Sequence, residues 1–198
     1  MDIIEEMLSY NKSFVEEKKY EAYSTDKYPD KKVAILTCMD TRLTELLPAA
    51  LGIKNGDAKI IKNAGGVISH PYGSVVRSLL IAILELGVTS IMVIGHTDCG
   101  VQNISSAEMQ EKLKECGITE TALEATAKCG VNYDKWFKGF RSAEESVMET
   151  VDILKKHPLI PAQIQIRGFV MNSETGEVEE VRTRGREDAL ECRLKPTP

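Results

Sequence analysis

Several things are missing from this chain. No apolar run reaches the ~18 residues that a membrane-spanning helix needs. No cluster of lysine and arginine stands out among the 25 basic residues, and 30 acidic ones leave a net charge of −5. That balance disfavours nucleic acid and anionic membranes as partners, because both select a basic patch. The five cysteines, at 38, 99, 116, 129 and 192, form no disulfide framework, since their number is odd and they are scattered. Unpaired thiols of this kind suit a reducing cytoplasm. The opening residues Met1-Asp2-Ile3-Ile4-Glu5-Glu6 lack the basic n-region and apolar core of a secretory signal. No internal repeat is evident. What is present is a globular composition, 42% hydrophobic and 28% charged over 198 residues. That length is enough for one well-packed domain and too short for two ordinary ones.

Strand and helix patterns alternate along the chain. Residues 2 to about 20 read as an amphipathic helix, with Ile3, Ile4, Met7, Leu8, Phe14 and Val15 at helical spacing. The run Val33-Ala34-Ile35-Leu36-Thr37 predicts a buried strand that stops at Cys38. A short helix is expected from Thr44 to about Leu51, weakened by Pro48. Residues 58–62 predict a second strand running into the loop Asn63-Ala64-Gly65-Gly66. Ser74 to Leu86 is expected to be a helix burying Val75, Val76, Leu79, Leu80, Ile83 and Leu84, with Gly87 at its end. The strand over 89–95 ends at His96. Residues 105–128 suggest helices broken near Gly117, with Thr119 as an N-cap. Asp134 to Lys156 reads as one long helix, closed by His157-Pro158. Residues 164–170 and 177–181 read as a strand and its antiparallel return across Ser173-Glu174-Thr175-Gly176.

This alternation argues for an α/β fold with a mostly parallel sheet covered by helices on both faces. Ligand sites in such sheets form at the carboxyl ends of strands, where the strand order reverses. If the order is 2-1-3-4, Cys38 and His96 follow adjacent strands and open on one crevice.

The chemistry concentrates in Cys38-Met39-Asp40-Thr41-Arg42 and His96-Thr97-Asp98-Cys99-Gly100. Cys38, His96 and Cys99 offer two thiols and one imidazole, a set that selects zinc over hard cations. Three protein ligands leave a fourth tetrahedral position for water or substrate, as catalytic zinc sites do. The competing reading is an inert core thiol, a hydrogen-bonded histidine and a small buried residue. Asp40 and Arg42 weigh against that reading. A guanidinium fork two residues from a carboxylate can keep it ionised and aim it. Asp40 could then orient a hydroxide on the metal, or swing in as a fourth ligand. Asp98 is expected to face solvent or a backbone donor. His70 is a candidate proton relay because its ordinary pKa suits the task, although a surface loop histidine beside a proline is the plainer reading. His157 is expected to meet the terminal carbonyls of its helix. Cys116, Cys129 and Cys192 have no partner spacing.

Cys38-x-Asp40-x-Arg42 followed by His96-x-x-Cys99 resembles the signature of the β-class carbonic anhydrases, in their short form. The resemblance covers about residues 30 to 182. It takes in Asn63-Ala64-Gly65-Gly66, Arg167-Gly168-Phe169 and Thr175-Gly176. It implies a Cys₂His zinc site, an Asp–Arg dyad, and a 2-1-3-4 sheet with an added antiparallel edge strand. It implies an obligate dimer, alone or as a dimer of dimers, whose N-terminal helix (about 2–22) embraces the partner. The division implied is a single domain over 1–182 and a polar tail over 183–198. The activity implied is reversible hydration of carbon dioxide to bicarbonate by zinc-bound hydroxide. The backbone of Gly65 and Gly66 would border the substrate pocket. Lys62 stands where the family usually has arginine, and Ser69-His70-Pro71-Tyr72-Gly73 replaces an acidic pair. Two alternatives remain open: hydrolysis of carbonyl sulfide or carbon disulfide at the same site, and a zinc-stabilised binding module without catalysis. A cysteine phosphatase is set aside, since Arg42 follows Cys38 after only three residues.

Overall fold

Apolar residues alternate sides along the two central strands, so the sheet has two buried faces. In the computed structural model, which describes residues 2–181, β1 is Val33–Cys38, β2 Ala58–Asn63, β3 Ser90–His96, β4 Gln165–Met171 and β5 Val178–Glu180. The helices are α1 (Ile3–Glu16), α2 (Leu43–Ala50), α3 (Ser74–Leu84), α4 (Ser106–Glu115), α5 (Glu120–Lys128), α6 (Tyr133–Trp136) and α7 (Ala143–Lys156). Ala34 and Leu36 of β1, with Ile91 and Val93 of β3, face a core built on Val76, Leu79, Val147, Val151 and Leu154 of α3 and α7. Ile35 and Ile94 point the other way, against Leu43 and Leu47 of α2 and Met171. Period-two side chains thus put helices on both faces.

The strand order is β2-β1-β3-β4-β5. β1 runs parallel to β2 and β3, β3 parallel to β4, and β5 returns antiparallel to β4. The expected order and edge strand are therefore found. Register Thr37↔Ile94 brings the carboxyl ends of β1 and β3 side by side. The chain leaves β1 towards β2 on one side and β3 towards β4 on the other, which makes their ends the switch point.

Two glycines let α7 settle directly on the sheet. A Cβ on Gly95 of β3 would lie 2.8 Å from Val147 Cγ2, and one on Gly168 of β4 would lie 2.5 Å from Val147 Cγ1. Only a residue without a side chain allows that approach.

The structure corrects four expectations. The long helix over 134–156 is two helices, α6 and α7, separated by residues 137–142. There the backbone pairs with the loop after Cys99: Gly139 N–H donates to Ile104 O at 3.1 Å and Asn103 N–H to Phe140 O at 2.9 Å. Ser142 then caps α7 by accepting from Glu145 N–H at 3.1 Å. Ser142-Ala143-Glu144-Glu145 has the S-x-x-E form of a helix start, a signal that aromatic periodicity over 136–140 masked. Leu84 is not on the buried side of α3 but 68% exposed, and Ala82 takes the buried position. The helix from residue 2 ends at Glu16, and a 3₁₀ turn over Lys19–Tyr23 follows it. No residue of α1 is buried. His157 bonds its own helix through its backbone N–H, which donates to Leu154 O at 3.2 Å, but not through its ring. Its Nε2 donates to Pro71 O at 2.8 Å, and its Nδ1 accepts from Leu159 N–H at 3.2 Å. The tail over 183–198, with Cys192, lies outside the described residues.

Candidate metal centre

β1 ends at Cys38 and β3 at His96, and a short turn brings Cys99 back beside them. All three are buried, at 3%, 1% and 6% exposure. One ligand atom from each lies within 4.8 Å of the others, and the two sulfurs are 3.8 Å apart. The trio singled out in the sequence is therefore assembled, from two segments that the strand order makes neighbours.

The imidazole is arranged as a ligand. His96 Nδ1 sits 2.8 Å from Thr97 O. A carbonyl can only accept, so Nδ1 carries the proton and Nε2 presents its lone pair. Among the described residues, Nε2 is the buried side-chain nitrogen or oxygen with no hydrogen-bond partner. Such an orphan is costly unless something binds it, and a cation shared with the two sulfurs would do so. Soft sulfur and ring nitrogen suit zinc, so the residues present fit that ion.

The thiols respond oppositely to their setting. Burial pushes Cys38 up, but the N–H groups of Asp40 and Gly65 and the Cys99 thiol bring it down. Burial pushes Cys99 up, and the charge of Cys38 adds to that. Two anionic sulfurs this close oppose each other unless a cation lies among them.

Asp40 and Arg42 form the expected pair. Arg42 donates from Nη2 to Asp40 Oδ2 at 2.9 Å, from Nε to Oδ1 at 3.0 Å and from its own N–H to Oδ1 at 2.9 Å. These bonds hold the Asp40 carboxyl down at about 2, so it stays ionised at neutral pH. Its Oδ2 lies 3.8 Å from His96 Nε2.

Sequence reasoning missed what else Arg42 holds. Its Nη1 donates to Asp98 Oδ2 at 2.9 Å and its Nη2 to Asp98 O at 2.8 Å. Asp98 does face solvent, at 86% side-chain exposure, but it also closes the second half of the guanidinium fork. The Arg42 side chain thus ties the Cys38 loop to the turn between His96 and Cys99. Asp98 has φ +53°, a left-handed conformation that Asp tolerates better than most residues. The signal was its place between two ligands.

Gly65 and Gly66 are buried directly behind the first ligand. Gly65 N–H points at Cys38 Sγ, 3.4 Å away. Gly66, at φ +65°, would put a Cβ 3.0 Å from the carbonyl carbon of Thr37 and 3.1 Å from Cys38 N. Asn63 shapes this loop, donating from Nδ2 to Val67 O and accepting from Val67 N–H at 3.0 Å. His70 is exposed on the following loop and outside the trio, its Nδ1 accepting from Tyr72 N–H at 3.1 Å. Cys116 and Cys129 are exposed and free. No helix of the described residues is long and apolar enough to cross a membrane.

The family described as carbonic anhydrase matches residues 33–178. YtiB of Bacillus subtilis (strain 168), a carbonic anhydrase by assignment only, is 49% identical over 179 residues, covering 90% of this chain and 96% of YtiB. A carbon disulfide hydrolase of Acidithiobacillus thiooxidans is 32% identical over 158 residues, covering 75% of this chain and 76% of the hydrolase. Among solved structures, β-carbonic anhydrase isoform I of Trichomonas vaginalis superposes with a TM-score of 0.81 at 32% identity. That superposition covers 91% of this chain and 98% of the other.

Proposed function

This chain belongs to the β-carbonic anhydrase family, and from that premise we propose how its own residues carry out reversible hydration of carbon dioxide to bicarbonate. Cys38, His96 and Cys99 hold zinc, the cofactor of the family. Zinc, when bound, supplies a Lewis acid that brings the pKa of a water ligand from 15.7 towards ~7. Asp40, ionised, accepts a hydrogen bond from the attacking solvent and sets the direction of its lone pair. Arg42 keeps Asp40 charged and aimed. Arg42 also fixes the turn that carries two of the ligands, so the dyad and the ligand set move as one piece. Burial of the trio excludes bulk water from the reacting atoms.

The observation that carries this reading is the unpartnered, buried His96 Nε2 facing two sulfurs, with an anchored carboxylate 3.8 Å away. A structural zinc would be closed by a fourth protein ligand, whereas the trio here has three members. The deciding experiment is zinc content measured alongside carbon dioxide hydration across pH. One zinc per chain and hydration that rises with pH support the reading. Active protein free of metal ends it. Cys38→Ser should lose zinc and hydration together.

Carbon disulfide is the rival substrate, favoured by the relatedness to the Acidithiobacillus thiooxidans hydrolase. Both molecules are linear and apolar with an electrophilic central carbon. A side-by-side assay ranks them, and carbon dioxide is expected to be the better. We place the protein in the cytoplasm, consistent with free thiols. Residues 1–182 are assigned to one catalytic unit that works as a dimer, with the apolar face of α1 against the partner.

A further inference from the structure

We propose that Asp98 is a positioning residue for the hydration reaction: it clamps the Arg42 guanidinium so that Asp40 stays aimed at the metal centre. The inference rests on the hydration reading above and adds a residue to it. The two oxygens of Asp40 are held differently. Oδ1 accepts from the Arg42 backbone N–H at 2.9 Å and from Nε at 3.0 Å. Oδ2, the oxygen 3.8 Å from His96 Nε2, accepts from Arg42 Nη2 at 2.9 Å. The half of the carboxylate nearer the ligands therefore depends on where the far end of the arginine lies.

Asp40 and Arg42 do not fix that end between them. They are two residues apart in one loop, so their side chains can tilt together with the bonds between them intact. Direction relative to the metal needs a reference on the segment that carries the other ligands, and Asp98 supplies two. Its carbonyl accepts from Nη2 at 2.8 Å, and its Oδ2 accepts from Nη1 at 2.9 Å. Nη2 is thus shared, with one hydrogen for Asp40 Oδ2 and one for Asp98 O. A planar, rigid guanidinium gripped along two edges keeps one orientation. Because the second grip comes from the turn between His96 and Cys99, the carboxylate is registered against the ligands themselves.

The backbone and exposure of Asp98 suit this role. Its φ of +53° is a sparsely populated conformation of the kind retained at functional sites. In that conformation the carbonyl and the carboxylate of one residue both meet one guanidinium. The side chain is 86% exposed, and an exposed ion pair contributes little to folding stability. Its effect therefore falls on direction, where a displacement of ~1 Å can cost roughly 10²-fold in rate.

The test is a double-mutant cycle on the zinc-loaded protein. Asp98→Gly removes the carboxylate and tolerates the left-handed backbone, so the carbonyl that Nη2 meets is kept. It should retain zinc and lower kcat/KM for carbon dioxide about tenfold. In an Asp40→Asn background the same change should cost less than about twofold, because Asp98 acts through Asp40 and no charge is left to aim. Asp98→Asn, which offers Nη1 an oxygen at the same φ, should recover most of the loss. A second readout does not depend on turnover. Exchange of the Arg42 Nε–H with solvent, followed by NMR, should be at least about threefold faster in Asp98→Gly. Equal losses with and without the Asp40 charge, or wild-type kcat/KM in Asp98→Gly, overturn the proposal. So do loss of zinc from that variant, which marks a structural role, and an unchanged Nε–H exchange rate. A wild type that hydrates no carbon dioxide defeats the functional reading instead, and the exchange rate alone then judges the clamp.

Discussion

At the scale of single residues, the site works through a division between ligands and positioning groups. The buried sulfur and nitrogen donors decide that a soft cation binds. In the proposed mechanism, Asp40 and Arg42 decide what that cation can do. Asp40→Asn keeps the shape and removes the charge. It should retain zinc, measured by metal analysis, while carbon dioxide turnover falls by roughly 10²-fold or more. Undiminished turnover in that variant would remove Asp40 from the mechanism. The pairing of Arg42 with Asp98 could not be read in advance, because 56 positions of chain separate them. The pairing of Arg42 with Asp40 could be, because a guanidinium two residues away in a short loop reaches its neighbour wherever the loop goes.

At the scale of elements, two joints hold the sheet in register with its cover. The first is the seat of α7 on Gly95 and Gly168. Gly168→Ala forces a methyl to within 2.5 Å of Val147 Cγ1 and should destabilise the fold by about 1–3 kcal/mol in denaturant unfolding. Adding Val147→Ala should restore part of that loss. If the single variant unfolds at the wild-type midpoint, α7 is not seated as described. The second joint lies before β2, where Asp57 accepts from Lys54 N–H at 2.9 Å and meets Lys31 at 3.3 Å. The Lys54 bond, with help from Lys31, lowers the Asp57 pKa. A carboxyl lowered by folding stabilises above its unfolded value, near ~3.9, and that stability fades as pH falls below it. Asp57→Ala should therefore lower Tm at pH 7 more than at pH 3. An equal drop at both pH values would mean that the charge contributes nothing. α6 and α7 show how periodicity misleads. Trp136, Phe137 and Phe140 continue a helical spacing, yet Gly139 and the Ser142 cap interrupt it.

At the scale of the whole molecule, α1 buries none of its residues among the described ones, although Phe14 meets the Tyr23 ring. Ile3, Ile4, Met7 and Leu8 are each more than half exposed, a patch of the kind that marks an association surface. Ile4→Glu with Leu8→Glu should convert the proposed dimer to monomers in light scattering. Zinc content should stay unchanged, because the trio sits at the ends of β1 and β3 and in the turn after β3. A dimer that survives both charges would place the interface elsewhere.

The amino-acid sequence alone determined the donor set and its place at two strand ends. Both follow from local rules: alternation and β-branched runs mark a strand, and the residue after its last apolar position marks its end. It also determined that a carboxylate and a guanidinium travel with the first ligand. Only the tertiary structure decided that the Asp98 turn is held by Arg42 and that α7 rests on two glycines. Those contacts join segments brought together by strand order and by the path of residues 99–142. Neither leaves a periodic trace in the sequence, because close approach between distant segments depends on shape and not on hydrophobic pattern.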